Sequence, residues 1–214
     1  MEGPLKQRLS AYAAASLKVL PEYAEAVDRL VARIHKNGGS DSAPKHGEEM
    51  PDFVLPDETG ALVRLDALRA KGPVAVMFHR GHWCPYCRLN VNALVHAQDR
   101  IATANGQVVI VTPERQQFAK QFKDDSNAPF PVLTDLDNGY ALSLNLAIWL
   151  SPDIQNILSY NDIPSFHGND AWMMPIPATF IVGRDGLVKT RYLDPDFRKR
   201  MEIDDLIAAL KAAN

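Results

Sequence analysis

Cys84 and Cys87 are the chain's two cysteines, and two residues separate them. A run of apolar residues, Val74-Ala75-Val76-Met77-Phe78, precedes them and predicts a buried strand. After them Leu89, Leu94, Val95 and Ile101 recur at near-helical spacing, which predicts a helix opening at the cysteines. A helix start leaves its first backbone amides without intrahelical partners and carries partial positive charge. A thiolate is stabilised there, and such cysteines fall from a pKa of about 8.5 to roughly 3.5–7.5. Pro85 fits just inside the helix, where its missing N–H is not needed. The second cysteine, one turn on, can close a disulfide with the first. On this reading Cys84 is the exposed attacker and Cys87 the more buried resolver.

Metal binding competes for the same residues. His79, His82, Cys84 and Cys87 offer four nitrogen and sulfur ligands, a set that suits tetrahedral zinc. Structural zinc sites draw ligands from two separated knuckles, however, and no second Cys or Cys-His pair follows. No metal is therefore assigned, although a zinc-binding or purely structural module stays open as a third reading.

The elements that position the pair follow from periodicity and punctuation. Leu5, Leu9, Tyr12 and Ala13 predict one helix, and Tyr23, Val27, Leu30, Val31 and Ile34 a second with Pro21 near its start. These form an N-terminal helical extension packed on the core, with a dimerisation arm as the alternative. Residues 36–51 are dense in Gly, Ser, Pro and charge and read as a linker or surface loop. The division is residues 1–46, extension and linker, and 47–214, the main domain.

Phe53–Pro56 and Leu62–Leu65 flank Asp57-Glu58-Thr59-Gly60 as a hairpin, and Asp66–Arg69 is a helical turn. Gly106 stops the cysteine helix before the apolar strand Val108–Val111, and a helix through Phe118 and Phe122 follows. That order predicts parallel pairing with a right-handed crossover. An extended stretch over 129–135 precedes a helix over 138–147. Residues 148–174 are poorly periodic and read as a long insertion of the kind kept for lids or binding loops. Residues 178–182 and 187–191 predict an antiparallel hairpin, and 203–210 a last amphipathic helix.

With 214 residues and 46% hydrophobic composition the chain can bury one sizeable core. A net charge of −3 argues against nucleic acid or a membrane surface as a partner chosen by bulk charge. No h-region of a signal peptide and no membrane-length apolar run is present, so the expectation is a cytoplasmic enzyme with a working dithiol.

The ordered set MPDFVLPDETG from Met50, FHRGHWCPYC from Phe78, FPVLTD from Phe130 and PIPATFIVGRDG from Pro175 resembles peroxiredoxin-like proteins. More broadly it is similar to the thioredoxin-like superfamily and, within it, to the alkyl hydroperoxide reductase / thiol-specific antioxidant family. The resemblance implies an α/β thioredoxin-like three-layer fold with a central mixed β-sheet flanked by helices. It gives Pro177 the place of a cis-proline opposite the cysteines, and Trp83 that of the tryptophan before a thioredoxin's first cysteine. The family's Pro-x-x-x-Thr/Ser-x-x-Cys motif is broken, because the matching positions hold Met77 and Gly81. Its arginine falls on or near Pro177, and the buried acid of thioredoxins falls on Phe78.

Arg80 and His82 are the local substitutes. A guanidinium favours a nearby thiolate and can polarise a peroxide oxygen, whereas a loop arginine can equally be merely solvated. His82 can shuttle a proton near neutrality or do nothing. His79 reads as a satisfied histidine beside the strand, Trp83 as a cover over the pair or a core residue, and His96 and His167 carry no signal. The function so implied is a thiol-dependent peroxidase that needs no cofactor, is recycled by a thioredoxin- or glutathione-type donor, and forms a homodimer by family likeness. The alternative is a thiol–disulfide oxidoreductase acting on protein or glutathione disulfides.

Overall fold

The computed structural model describes residues 3–39 and 41–214. Along the chain run α1 (Leu5–Val19), α2 (Pro21–Lys36), β1 (Val54–Pro56), β2 (Leu62–Arg64), α3 (Leu65–Arg69) and β3 (Val74–Phe78). Then come α4 (Pro85–His96), α5 (Gln98–Thr103), β4 (Gln107–Thr112), α6 (Gln116–Ser126), β5 (Val132–Thr134) and α7 (Gly139–Ser143). The last third holds β6 (Ala147–Trp149), α8 (Pro152–Leu158), α9 (Ile163–His167), β7 (Met173–Pro175), β8 (Ala178–Val182), β9 (Val188–Leu193) and α10 (Ile203–Ala212).

The continuous apolar runs take the centre. A five-stranded mixed sheet has the order β5-β4-β3-β8-β9, with β3 parallel to β4 and antiparallel to β8. Every residue of β3 and β8 is buried, as strands covered on both faces require. Alternation along β3 sends Ala75 and Met77 to one face and Val74, Val76 and Phe78 to the other. The first face packs with Val91 and Leu94 of α4, Phe122 of α6 and Leu206 and Leu210 of α10. The second packs with Phe53, Leu65, Ala141 and Leu144. The expected parallel crossover is present, as are the β1–β2 hairpin and the β8–β9 pair.

Both N-terminal helices join this core. Leu5 and Leu9 of α1 and Val27 of α2 share the cluster of α4, while Ala26, Leu30 and Ile34 pack on Leu150, Ile154 and Leu158. Residues 138–174 differ from the sequence reading. The helix expected over 138–147 is confined to α7, and Ala147–Trp149 turns into a strand paired with Met173–Pro175. The segment read as a long, poorly periodic insertion carries that hairpin together with α8 and α9. One- and two-turn helices and three-residue strands are too short to leave a period in sequence. The cysteine helix also breaks at Ala97, which separates α4 from α5. No helix among the described residues is long and apolar enough to cross a membrane.

Candidate active site

β3 and β4 are parallel, so the loops leaving their C-terminal ends emerge at the same edge of the sheet, the usual place for a site in such folds. The β3 loop carries His79–Trp83 into Cys84, which is the N-cap of α4, with Pro85 at its first position. The β4 loop carries Glu114. His82 donates its backbone N–H to one Glu114 carboxylate oxygen at 2.8 Å, and its Nδ1 lies 2.5 Å from the other. The imidazole also stacks on Phe118. Glu114 is wholly buried, and burial pushes its carboxyl above the ordinary range, against the pull of the His82 contacts. The crossing leaves no room at Gly81, where a Cβ would sit 2.5 Å from the Glu114 carboxyl and φ is +135°.

Both cysteines are free thiols and almost fully buried, Cys84 at 1% and Cys87 at 0% exposure. This corrects the expectation of an exposed Cys84: helices α1 and α2, which sequence could not place, lie over it. The charge assignment is corrected as well. Cys87 Sγ accepts the Arg80 backbone N–H at 3.4 Å and the Arg200 guanidinium at 3.5 Å, with the Cys84 thiol as its neighbour. Burial opposes ionisation of Cys87, but these donors outweigh it and hold the Cys87 thiol well below its usual range. Cys84 is held well above its own, by burial first and then by its neighbour Cys87. Capping α4 brings no hydrogen bond to the Cys84 side chain, so the contacts that favour a thiolate gather on the second cysteine instead of the first.

The supporting residues divide. Arg80 is neither solvated nor bonded through its side chain to a thiol: it is 2% exposed, with its guanidinium carbon 3.9 Å from the Phe197 ring centre and 4.9 Å from that of Trp83. Its Nε contacts Met174 Sδ at 3.3 Å, and both terminal nitrogens are buried without a partner. Trp83 does lie beside the pair, whereas Nδ1 of His82 is engaged by Glu114. His79 is buried against Asn90 Oδ1 at 3.1 Å, and burial pushes its pKa down.

The cis geometry expected at Pro177 is not found, since no cis peptide bond occurs among the described residues. Ile176 donates its N–H to the Leu146 carbonyl at 2.8 Å, so the chain runs extended from β7 into β8. Extending the β3–β8 register by two places Pro177 opposite His79. His82 turns to Glu114 and His79 to Asn90, and no three His, Cys, Asp or Glu among the described residues group as metal ligands.

A cavity of about 350 Å³ reaches Cys84 but not Cys87. Its walls come from Tyr12, Ser16 and Val19 of α1, Tyr23 of α2, Leu158 at the end of α8 and Tyr160 just beyond it, and Trp83, Tyr86 and Phe197. Arg80 is the one charged residue in this lining. A larger cleft, lined by Arg8, His96, Arg100 and Glu202 among others, contains neither cysteine. Sequence reasoning missed Glu114, Arg200, Tyr23 and Phe197. Glu114 had one usable signal, its place just past a parallel strand; Arg200 sits in the charged stretch DFRKR, which reads as solvated surface.

The model of the AhpC/TSA family matches residues 46–191. The chain belongs to that family. Among curated relatives it is 26% identical over 111 residues to peroxiredoxin bcp1 of Schizosaccharomyces pombe, covering 52% of this chain and 57% of that protein. It is 24% identical over 143 residues to the thiol:disulfide interchange protein DsbE of Pseudomonas aeruginosa, covering 67% and 63%. The chain thus matches less than two thirds of the length of these relatives. Among solved structures, peroxidoxin BcpB of Mycobacterium tuberculosis superposes with a TM-score of 0.63 at 21% identity, over 80% of this chain and 99% of that one. The fold of this family member is thioredoxin-like, a central mixed sheet between helices.

Proposed function

We propose that the protein is a thiol peroxidase that reduces hydroperoxides through Cys84 and Cys87. One observation carries this reading: Cys84 lines the cavity while the neighbouring Cys87 sulfur accepts the Arg200 guanidinium and the Arg80 N–H, contacts that favour its thiolate. Membership of the AhpC/TSA family, with relatives named peroxiredoxin, supports it.

Access and charge then take different cysteines, and a proton joins them. As Cys84 Sγ approaches the terminal oxygen of the hydroperoxide, its proton passes to the Cys87 thiolate, which acts as general base. An S–O bond forms and the O–O bond breaks. The leaving alkoxide takes a proton from solvent and departs as alcohol. Cys87, now a thiol, attacks the Cys84 sulfenic acid; the disulfide forms and water leaves. The dithiol loses two electrons and the peroxide gains them. No cofactor enters these steps. Stopped-flow oxidation of the reduced protein by a hydroperoxide tests the reading. A rate at least tenfold above that of free cysteine thiolate is expected, and a rate no faster overturns it.

Thiol–disulfide exchange is the second reading. The Trp-Cys-Pro-Tyr-Cys run, the absence of the family's Pro and Thr, and the similarity to a thiol:disulfide interchange protein favour it. A protein disulfide would have to reach a sulfur that is 1% exposed beneath α1 and α2, which favours the peroxidase.

A further inference from the structure

We infer that the electron donor restoring the dithiol is a low-molecular-weight monothiol entering the cavity at Cys84, and that Arg200 makes the Cys84–Cys87 disulfide easy for such a thiol to reduce. The inference rests on the assignment of Cys84 and Cys87 as the redox pair, and two independent observations carry it.

The first is space. Cys84 is reached through a cavity of about 350 Å³ between α1, α2, the segment after α8 and Phe197. That volume suits a small thiol. A folded donor must bring its own cysteine into contact with a sulfur covered by Tyr12, Tyr23 and Trp83, and these walls hold its surface away.

The second is charge. Arg200 is 7% exposed, is anchored by its guanidinium to the Phe197 and Lys199 carbonyls, and reaches Cys87 Sγ. Its Nε is buried without a partner. Arg80, the second buried cation, has no carboxylate partner among the described residues either, and the nearby acid, Glu114, is engaged by His82. In the dithiol state one thiolate answers these two cations. In the disulfide state that negative charge is gone and both remain buried, so oxidation is disfavoured. Stabilising the reduced form in this way makes a disulfide a readily reduced one. An anionic donor also enters a cavity whose one lining charge is positive.

Reduction balances in two exchanges. A donor thiolate attacks Cys84 Sγ, the Cys84–Cys87 bond breaks, and Cys87 leaves as the thiolate that Arg200 receives. A second donor thiolate attacks the donor sulfur of the mixed disulfide; the donor disulfide leaves, and Cys84 takes a proton. Two donor thiols are oxidised for each protein disulfide reduced.

The test starts from the disulfide form made with diamide, so it reads the donor whether or not a peroxide is the natural oxidant. Reduction by glutathione and by thioredoxin is followed through tryptophan fluorescence at equal thiol concentration. Faster reduction by glutathione is expected, and faster reduction by thioredoxin overturns the inference. Equilibration with glutathione and its disulfide adds a second readout. Arg200→Met should move the equilibrium about tenfold or more toward the protein disulfide, the change that follows from one unit of thiolate pKa. Arg200→Lys should restore most of the shift. An unchanged equilibrium in folded Arg200→Met overturns the role of Arg200, and if that variant does not fold, the same outcome in Arg200→Gln does.

Discussion

Two sulfurs one helical turn apart have opposite surroundings. Cys84 meets the cavity, and Cys87 meets the donors. The loop that holds them depends on Gly81, whose φ of +135° and missing Cβ let Glu114 and the Trp83 indole close in. Gly81→Ala should therefore cost about 1–3 kcal/mol of stability, from backbone strain and displacement of the carboxylate. A urea titration checks this, and an unchanged midpoint with an unchanged slope contradicts it. The place of the two thiols, at the start of a helix that follows a buried strand, was legible in sequence, because an apolar run and a helical pattern flank them. Which sulfur meets the hydrogen-bond donors was not, since one of them is Arg200, brought to the site from 113 residues further along the chain.

At the scale of elements, the parallel β3–α4–β4 unit was legible because buried strands leave unbroken apolar runs and helices leave a period. The stretch from 138 to 174 was not: its pieces are only three to seven residues long, below any periodicity. The N-terminal helices were legible as helices, but not as walls of the cavity over Cys84. Their packing makes a direct prediction. Leu9 of α1 is 3% exposed in the cluster that includes α4, so Leu9→Ala should destabilise the whole chain by about 2–4 kcal/mol. Denaturation followed by fluorescence and by far-UV circular dichroism should remain one coincident transition. Two separate transitions would show α1 and α2 to be independent of the core.

The molecule as a whole buries histidines that must stay neutral. His167 is 1% exposed, and burial pushes its pKa down to about 4; His79 is shifted the same way by the same cause. A depressed histidine binds its proton more tightly when unfolded. Stability is therefore full above the unfolded pKa near 6.5 and is lost as pH falls from there toward 4. For His167 the loss is at most about 3 kcal/mol. Unfolding free energies measured across that interval should fall with pH, and His167→Gln should remove about one proton's share of the slope. An identical pH dependence in the variant contradicts this.

The division of labour between the two sulfurs is tested most directly by trapping. One equivalent of hydroperoxide is added to reduced Cys87→Ser and Cys84→Ser, followed by dimedone and mass spectrometry. The expected result is a sulfenic acid on Cys84 in Cys87→Ser, formed about a hundredfold more slowly than wild-type oxidation because the base is gone, and an unmodified Cys87 in Cys84→Ser. Oxidation of Cys87 in Cys84→Ser at the wild-type rate would contradict it.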